Sequence, residues 1–156
     1  MKFNKQFYFD EIKNVFPKIV DHRRTIHNNP ELSFKEIETT QYIQKYLDSL
    51  GIENKIILKS QPNKSANDIG VLAKVGKGSH NIALRADIDA LPILEETGSK
   101  FASTKNGIMH ACGHDLHTSM LLGAAEILKN NENKLNKIRS PCYNFAFRTS
   151  GRGAAA

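Results

Sequence analysis

Apolar residues near the start of the chain recur at the spacing of an α-helix. We predict a first amphipathic helix that runs to about His27, with Pro17 as a point where it breaks or restarts. The apolar face of this helix is formed by Ile12, Val15, Phe16, Ile19 and Val20.

A second helix is predicted mainly from its end signals. Ser33 is suited to cap its N-terminus, and Glu36, three residues later, completes a capping box. Apolar residues then recur at helical spacing up to Leu50, and Gly51 is expected to end the helix.

The pattern then changes to three short runs rich in branched residues, which predict three strands: IENKIIL, IGVLAKV and NIALRAD. We expect SQPNKSAND to be a loop and GKGSH to be a hairpin connection between the second and third strands. Helical spacing returns from Leu116 and predicts a third helix. This order of elements predicts an α/β fold in which a layered sheet is flanked by helices.

The length and composition are those of one globular domain. A chain of 156 residues is enough for one domain, and no stretch approaches the ~18 apolar residues of a membrane span. The first residues lack the apolar run of a secretory signal, so we expect a cytoplasmic protein with no membrane partner. Two cysteines, Cys112 and Cys142, are too few for a disulfide framework.

The formal net charge of +6 raises the question of a nucleic-acid partner. Four basic residues lie in a final segment without acidic residues, and leaving them out reduces the net charge to +2. No basic and aromatic surface for stacking bases is evident, so we expect no nucleic-acid partner. The four residues are Lys137, Arg139, Arg148 and Arg152.

Candidate chemistry is concentrated in HACGHDLH, residues 110–117. A single glycine separates Cys112 from His114, which allows a thiolate and an imidazole to approach one ion, and His117 follows one helical turn later. The N-terminus of a helix also favours the thiolate. The residues alone leave three interpretations open: a metal site, a nucleophilic Cys112 with His114 as base, and an ordinary polar turn.

A second polar element, RADIDALP, places Asp87 and Asp89 at the end of the third predicted strand. Alternation directs both side chains to one side, at the edge where α/β proteins commonly hold their sites. An acidic turn in solvent, closed by Pro92, is the alternative. Together with HACGHDLH, this element favours a functional site.

Three motifs in order, HNNPELSFKE, LRADIDALPI and MHACGHDLHTSMLLGAA, resemble the amino-terminal part of a family of metal-dependent amidohydrolases. The family includes hippurate hydrolases, N-acyl-amino-acid deacylases of the aminoacylase and carboxypeptidase type, and auxin-conjugate hydrolases. The resemblance implies an incomplete, metallopeptidase-like catalytic domain. It also implies a two-ion centre of zinc or manganese, a small N-acyl amino acid as substrate, and intact relatives that often form homo-oligomers.

The resemblance also implies roles for individual residues. Cys112 and His114 match metal ligands of the family. Asp87 and Asp89 match its acidic strand end and are assigned to the surroundings of the metal, with a supporting catalytic role for Asp89. Two further polar residues of HACGHDLH, Asp115 and His117, are each assigned either as a metal ligand or as a residue that holds a ligand in place.

The chain departs from the family after the third helix. Members continue with an apolar strand and a Pro-Ala-Glu-Glu-Gly segment whose glutamates act as general base and ligand, and this segment is missing. We therefore expect residues 1–136 to be the amino-terminal portion of the catalytic domain and residues 137–156 to be a divergent, frameshifted tail. Without the general base, little or no activity is expected from this chain. A non-catalytic metal-binding or interaction fragment, and a metal-free hydrolase using Cys112 and His114, are the alternative functions.

The frameshift is tested by the gene. Residues 149–153 can be encoded as ACC AGC GGA AGA GGN, and reading one base later gives CCA GCG GAA GAG, which is Pro-Ala-Glu-Glu. We expect the nucleotide sequence to contain these codons in the alternative frame, after codons for an apolar run. Any other arrangement of codons there contradicts the frameshift.

Overall fold

The computed structural model describes residues 5–59, 68–135 and 141–149. Within these ranges it has the α/β architecture expected from the sequence, with the predicted three helices and three strands. Two further elements follow the third helix. The elements are α1 (Lys5–Asn28), α2 (Ile37–Ser49), β1 (Glu53–Lys59), β2 (Asp68–Val75), β3 (His80–Asp87), α3 (His114–Asn130), α4 (Glu132–Leu135) and β4 (Pro141–Arg148).

The first helix passes through Pro17 without interruption, so the expected break is wrong. Contacts with α3 hold α1 on both sides of this residue. Before it, Glu11 accepts a hydrogen bond of 2.9 Å from the Asn131 side chain at the end of α3. After it, Arg23 reaches Asp115 in the first turn of α3. Tertiary packing therefore outweighs the local preference of proline to end a helix.

The predicted capping box of the second helix is also wrong. The helix begins at Ile37, and Ser33 instead forms a hydrogen bond of 2.6 Å with the Thr149 hydroxyl beyond β4. The cap comes from the buried carboxylate of Glu31, which accepts hydrogen bonds of 2.8 Å from both the backbone N–H and the hydroxyl of Thr39. A carboxylate at this position accepts hydrogen bonds from helix N–H groups and interacts favourably with the positive end of the helix dipole. Gly51, at φ 63°, follows the end of α2 as predicted.

The strands form one sheet in the order β1-β2-β4-β3. Strand β2 is antiparallel to both β1 and β4, whereas β3 is parallel to β4. GKGSH is therefore not a hairpin connection, because β4 lies between the two strands that it joins. Residues 60–67, nearly all of the predicted loop SQPNKSAND, lie outside the described part of the chain.

Strand β4 belongs to the segment after Asn136, in which the sequence showed no clear period. Its alternation is visible in retrospect, because Phe145 and Phe147 are fully buried and Tyr143 packs against the same core. Helices α2 and α3 contribute to this core together with β2, β4 and the end of β3. Its buried members are Ile43, Leu47, Ile52, Val71, Ala73, Val75, Ala86, Ile88, Leu121, Leu122, Ala125, Phe145 and Phe147.

The end of β3 meets the start of α3 at one edge of this core. The backbone N–H of Ile88 donates to the Arg148 carbonyl at 3.2 Å, and the Thr118 hydroxyl donates to the Asp87 carbonyl at 3.1 Å. These bonds fix Asp89 close to the first turn of α3. None of the helices within the described ranges is long and apolar enough to cross a membrane.

The central position of β4 is tested at Gly76. This residue has φ +88°, and an added Cβ would lie 2.4 Å from the Pro141 carbonyl oxygen, whereas Gly98 has φ +63° and open space around it. We expect Gly76→Ala to lower the free energy of unfolding by ~1–3 kcal/mol more than Gly98→Ala, because only the first adds a steric overlap to backbone strain. Urea unfolding of both variants measures this, and equal losses would contradict the placement of β4.

Candidate metal centre

The turn that carries Cys112 ends at the first residue of α3. Gly113 adopts the left-handed conformation at φ 77°, and its N–H donates to the His110 carbonyl at 3.2 Å. Cys112 is exposed in this turn, and His114 begins the helix and is buried. The glycine therefore provides the tight turn that the sequence predicted.

His114 is oriented by Asp89. Its Nδ1 lies 2.8 Å from the backbone carbonyl oxygen of Asp89 and 3.1 Å from the Oδ1 of the same residue. A carbonyl oxygen can only accept a hydrogen bond, so Nδ1 carries the hydrogen and the lone pair of the neutral ring lies on Nε2. This is the arrangement that fixes a histidine as a metal ligand.

The two aspartates of RADIDALP behave differently. Asp89 is buried and bonds to His114, whereas Asp87 is half-buried and pairs with Arg85 of its own strand at 2.7 Å. The structure brings Asp89 to the turn and pairs the carboxylate of Asp87 with Arg85, two residues before it on the same strand.

Asp115 and His117 both follow His114 in the first turn of α3 and have separate surroundings. The Oδ2 of Asp115 is 2.8 Å from the Nδ1 of His27 and accepts a hydrogen bond of 3.1 Å from the Nε of Arg23. His117 is exposed, and its ring stacks on that of His114 with centroids 5.7 Å apart. Asp115 is thus held by α1.

Three further residues lie near the turn and were not predicted from the sequence: Arg23, His27 and Glu95. The Nε2 of His27 lies 3.1 Å from the Oε1 of Glu95, so both ring nitrogens of this buried histidine face carboxylates. The signal that could have identified His27 is its position at the start of HNNPELSFKE.

His110, the first residue of HACGHDLH, is buried, and neither of its ring nitrogens has a hydrogen-bond partner among the residues that the structure describes. Burial lowers the pKa of His110 to about 4, so its imidazole is neutral near pH 7. The Oδ1 of Asp115 is also buried, without a hydrogen-bond partner in the described part of the chain. Unsatisfied polar atoms of this kind are uncommon in folded proteins and concentrate at functional sites.

These donors fit part of a metal site. His114 presents Nε2, and the exposed thiol of Cys112 lies two residues away, whereas protein metal sites use three or four protein ligands. Within the described residues, no three His, Cys, Asp or Glu side chains are grouped so that they could hold an ion. The described chain therefore offers an incomplete set of ligands.

Comparison with known families finds a match that contains the turn and both aspartates of RADIDALP. Residues 83–142 match the sequence model of peptidase family M20/M25/M40. The chain is 50% identical over 125 residues to N-acetyl-L-cysteine deacetylase of Bacillus subtilis (strain 168), which covers 78% of this chain and 28% of the relative. Residues 83–142 of this chain are therefore similar to peptidase family M20/M25/M40.

Other relatives agree with the similarity to the M20 family. An uncharacterized hydrolase of Staphylococcus aureus (strain USA300) is 50% identical over 110 residues, covering 70% of this chain and 26% of the relative. The crystal structure of a Bacillus subtilis protein, described as a dinuclear metal binding peptidase from the M20 family, superposes with a TM-score of 0.74 at 37% identity. That alignment covers 88% of this chain and 36% of the solved chain. The chain described in this structure spans about a quarter of the length of the curated relatives that it matches.

The M20 match includes both candidate ligands and Asp89, whereas α1 and α2 lie before it. One buried group from α2 nevertheless reaches the same end of the sheet. Glu36, at the start of α2, is fully buried, and the carboxylates of Asp89 and Glu31 lie near enough to influence it. Burial raises the pKa of Glu36 to about 7, against hydrogen bonds that favour the charged form.

The raised pKa of Glu36 predicts a pH-dependent stability. Between the ordinary value of 4.5 and about 7, the folded chain holds a proton that the unfolded chain releases, so the free energy of unfolding falls as pH rises through this window. Glu36→Gln keeps the shape of the side chain and removes its titratable carboxyl group. We expect the free energy of unfolding of Glu36→Gln, relative to that of wild type, to rise from pH 5 to pH 8. Urea unfolding at each pH measures it.

The matched control for this measurement is Glu38→Gln, which changes an exposed carboxylate of the same helix. A relative stability of Glu36→Gln that stays constant from pH 5 to pH 8 would contradict the account of Glu36.

Proposed function

We propose that the protein represented by this chain is a metal-dependent hydrolase that cleaves the amide bond of N-acyl amino acids. The observation that carries the proposal is the hydrogen bond from His114 Nδ1 to Asp89, which orients His114 as a ligand beside Cys112. Two relatives support it: a protein named N-acetyl-L-cysteine deacetylase, and one described as a dinuclear metal binding peptidase.

In this proposal Cys112 and His114 hold a divalent ion, zinc or manganese. A thiolate and an imidazole are ligands that suit zinc. When bound, such an ion lowers the pKa of a water molecule and polarises the amide carbonyl. Asp89 keeps His114 in the correct tautomer, and Asp115 fixes the first turn of α3 from the side of α1. Asp87 and His117 belong to the outer surroundings of the ion.

We propose that this chain alone has little or no activity. None of residues 149–156 has a carboxylate side chain that could act as general base after β4, a role worth typically ~10²–10⁴-fold. The structure places Thr149 buried at the end of β4, at the sheet edge that also holds Asp89. Glutamates encoded there in the alternative frame would follow β4 at this edge. The division into residues 1–136 and an altered tail of residues 137–156 stays a prediction, and β4 of that tail packs in the same core as the helices.

A metal-free thiol hydrolase is the second candidate function. The hydrogen bond between Asp89 and His114 supplies the orienting group that a Cys112–His114 pair would require. Binding of a metal without any turnover, the third function, remains the alternative for a chain of this length. The cytoplasm is the proposed location, because the two cysteines of the described chain are free.

Metal binding tests the proposal directly. We expect the purified chain, equilibrated with zinc or manganese and freed of excess by gel filtration, to retain ion that Cys112→Ser and His114→Ala lose. The matched controls are Cys142→Ser, which alters the other cysteine, and His80→Ala, which alters an exposed histidine of β3. Elemental analysis measures the ion, and equal metal contents in wild type and all four variants would contradict the ligand assignment.

The same samples distinguish the candidate functions. Hydrolysis of N-acetyl-L-cysteine or hippurate that a chelator abolishes supports the metal-dependent enzyme. Hydrolysis that is indifferent to a chelator and lost in Cys112→Ser supports the thiol hydrolase. Bound metal without any hydrolysis is the result expected for this chain on its own.

A further inference from the structure

His27 occupies an unusual position for a side chain with no assigned role. It lies one residue before the end of α1, is buried, and has a carboxylate oxygen within hydrogen-bonding distance of each ring nitrogen. The two carboxylates belong to Asp115 and Glu95, which are 88 and 68 residues away in the sequence. One imidazole therefore joins three separate segments of the fold.

The first contact acts on the start of α3. Asp115 directly follows the candidate ligand His114, and its Oδ2 is shared by His27 at 2.8 Å and Arg23 at 3.1 Å. The Asp115 side chain is almost completely buried, so these bonds lie in surroundings of low dielectric constant, where hydrogen bonds to charged groups are strong.

The second contact acts on the segment before the turn. The Oε2 of Glu95 accepts a hydrogen bond of 2.6 Å from the backbone N–H of Ser103, and its Oε1 faces His27. Although burial opposes ionisation, hydrogen bonds from Ser103, Thr97 and His27 lower the pKa of Glu95 to about 2. The carboxylate is thus ionised at neutral pH and joins α1 to residues 95–103.

Phe101 strengthens this second attachment. Its ring lies edge-on to His27 at 5.5 Å between centroids, and the guanidinium of Arg23 lies 4.9 Å from its centroid. Residues 95–109 then lead directly into the turn at residues 110–114. The segment that carries Cys112 and His114 is consequently attached to α1 through His27 on both sides, at Glu95 before the turn and at Asp115 after it.

We propose that His27 is a positioning residue for the candidate metal centre, holding the turn of residues 110–114 from both ends through Asp115 and Glu95. This inference rests on the proposed function. His27 itself does not bind the ion in this account. It acts through the orientation of the turn, in the manner of residues that support metal ligands from behind.

His22 provides a matched control. It lies on the same helix, is also buried, and its Nδ1 is also hydrogen-bonded, at 2.7 Å to the Tyr42 hydroxyl. Its neighbours are Tyr42 and Tyr46 of α2, so this control tests burial of a histidine on α1 without contact to the turn.

The experiment compares His27→Ala with His22→Ala and with two amide variants of His27. Asn places a nitrogen near the position of Nδ1 and can keep the bond to Asp115, whereas Gln places one near Nε2 and can keep the bond to Glu95. Cobalt(II) titration of the full chain, followed by the thiolate-to-cobalt absorption band, measures affinity. We expect His27→Ala to weaken binding by ~10–100-fold, with partial rescue in His27→Asn and no loss in His22→Ala.

A second readout requires no metal. The ring nitrogen chemical shifts of His114, measured by NMR, report whether Nδ1 carries the hydrogen. We expect this tautomer to be retained in wild type, His22→Ala and His27→Asn, and to be mixed with the other tautomer in His27→Ala. If His27→Ala fails to fold, as judged by circular dichroism, the comparison of His27→Asn with His27→Gln decides, with the Gln variant expected to show the larger loss.

The outcomes separate the two claims. Equal effects of the His22 and His27 substitutions on both readouts would overturn the positioning role, because they indicate only general stability. A wild-type chain that binds no cobalt contradicts the proposed function. In that case the tautomer of His114 still supports the positioning role if it depends on His27 and not on His22, and overturns it otherwise.

Discussion

The hydrogen bond from the Nδ1 of His114 to the carbonyl oxygen of Asp89 is the interaction on which the candidate site depends. It joins the residues after β3 to the first residue of α3 across a separation of 25 residues. Because β3 lies beside β4 in a parallel pair and α3 packs on the same core, Asp89 and His114 are brought to one edge of the sheet. The bond then leaves Nε2 as the basic nitrogen of the ring, which converts a buried histidine into a candidate ligand.

The polar groups at this edge are numerous and costly to bury. Four of them are buried: Asp89 after β3, His110 and Asp115 in the segment that starts α3, and His27 on α1. Burial of such groups is tolerated where hydrogen bonds and opposite charges compensate for the lost water. The pair of bonds from His27 and Arg23 to Asp115 is this kind of compensation, whereas His110 lacks it. The distribution resembles that of a functional site more than that of an apolar core.

The sequence predicted the features that depend on local pattern. Apolar spacing identified the three helices and the first three strands, and the motif HACGHDLH identified the turn at Gly113. Features that depend on distant partners were missed. Glu31 caps α2 from outside the helix, and His27 finds its carboxylates 88 and 68 residues away. Strand β4 was missed because its short alternation of aromatic residues lies between polar ones, and only its pairing with two strands makes it central.

We propose that the turn carrying Cys112 and His114 is an oriented but incomplete set of metal ligands. X-ray absorption at the zinc edge of the zinc-loaded chain tests it most directly. The account predicts one sulfur neighbour at ~2.3 Å and one imidazole nitrogen at ~2.0–2.1 Å, with the remaining neighbours being oxygen atoms of solvent. A spectrum without sulfur, or one unchanged by Cys112→Ser, would contradict it.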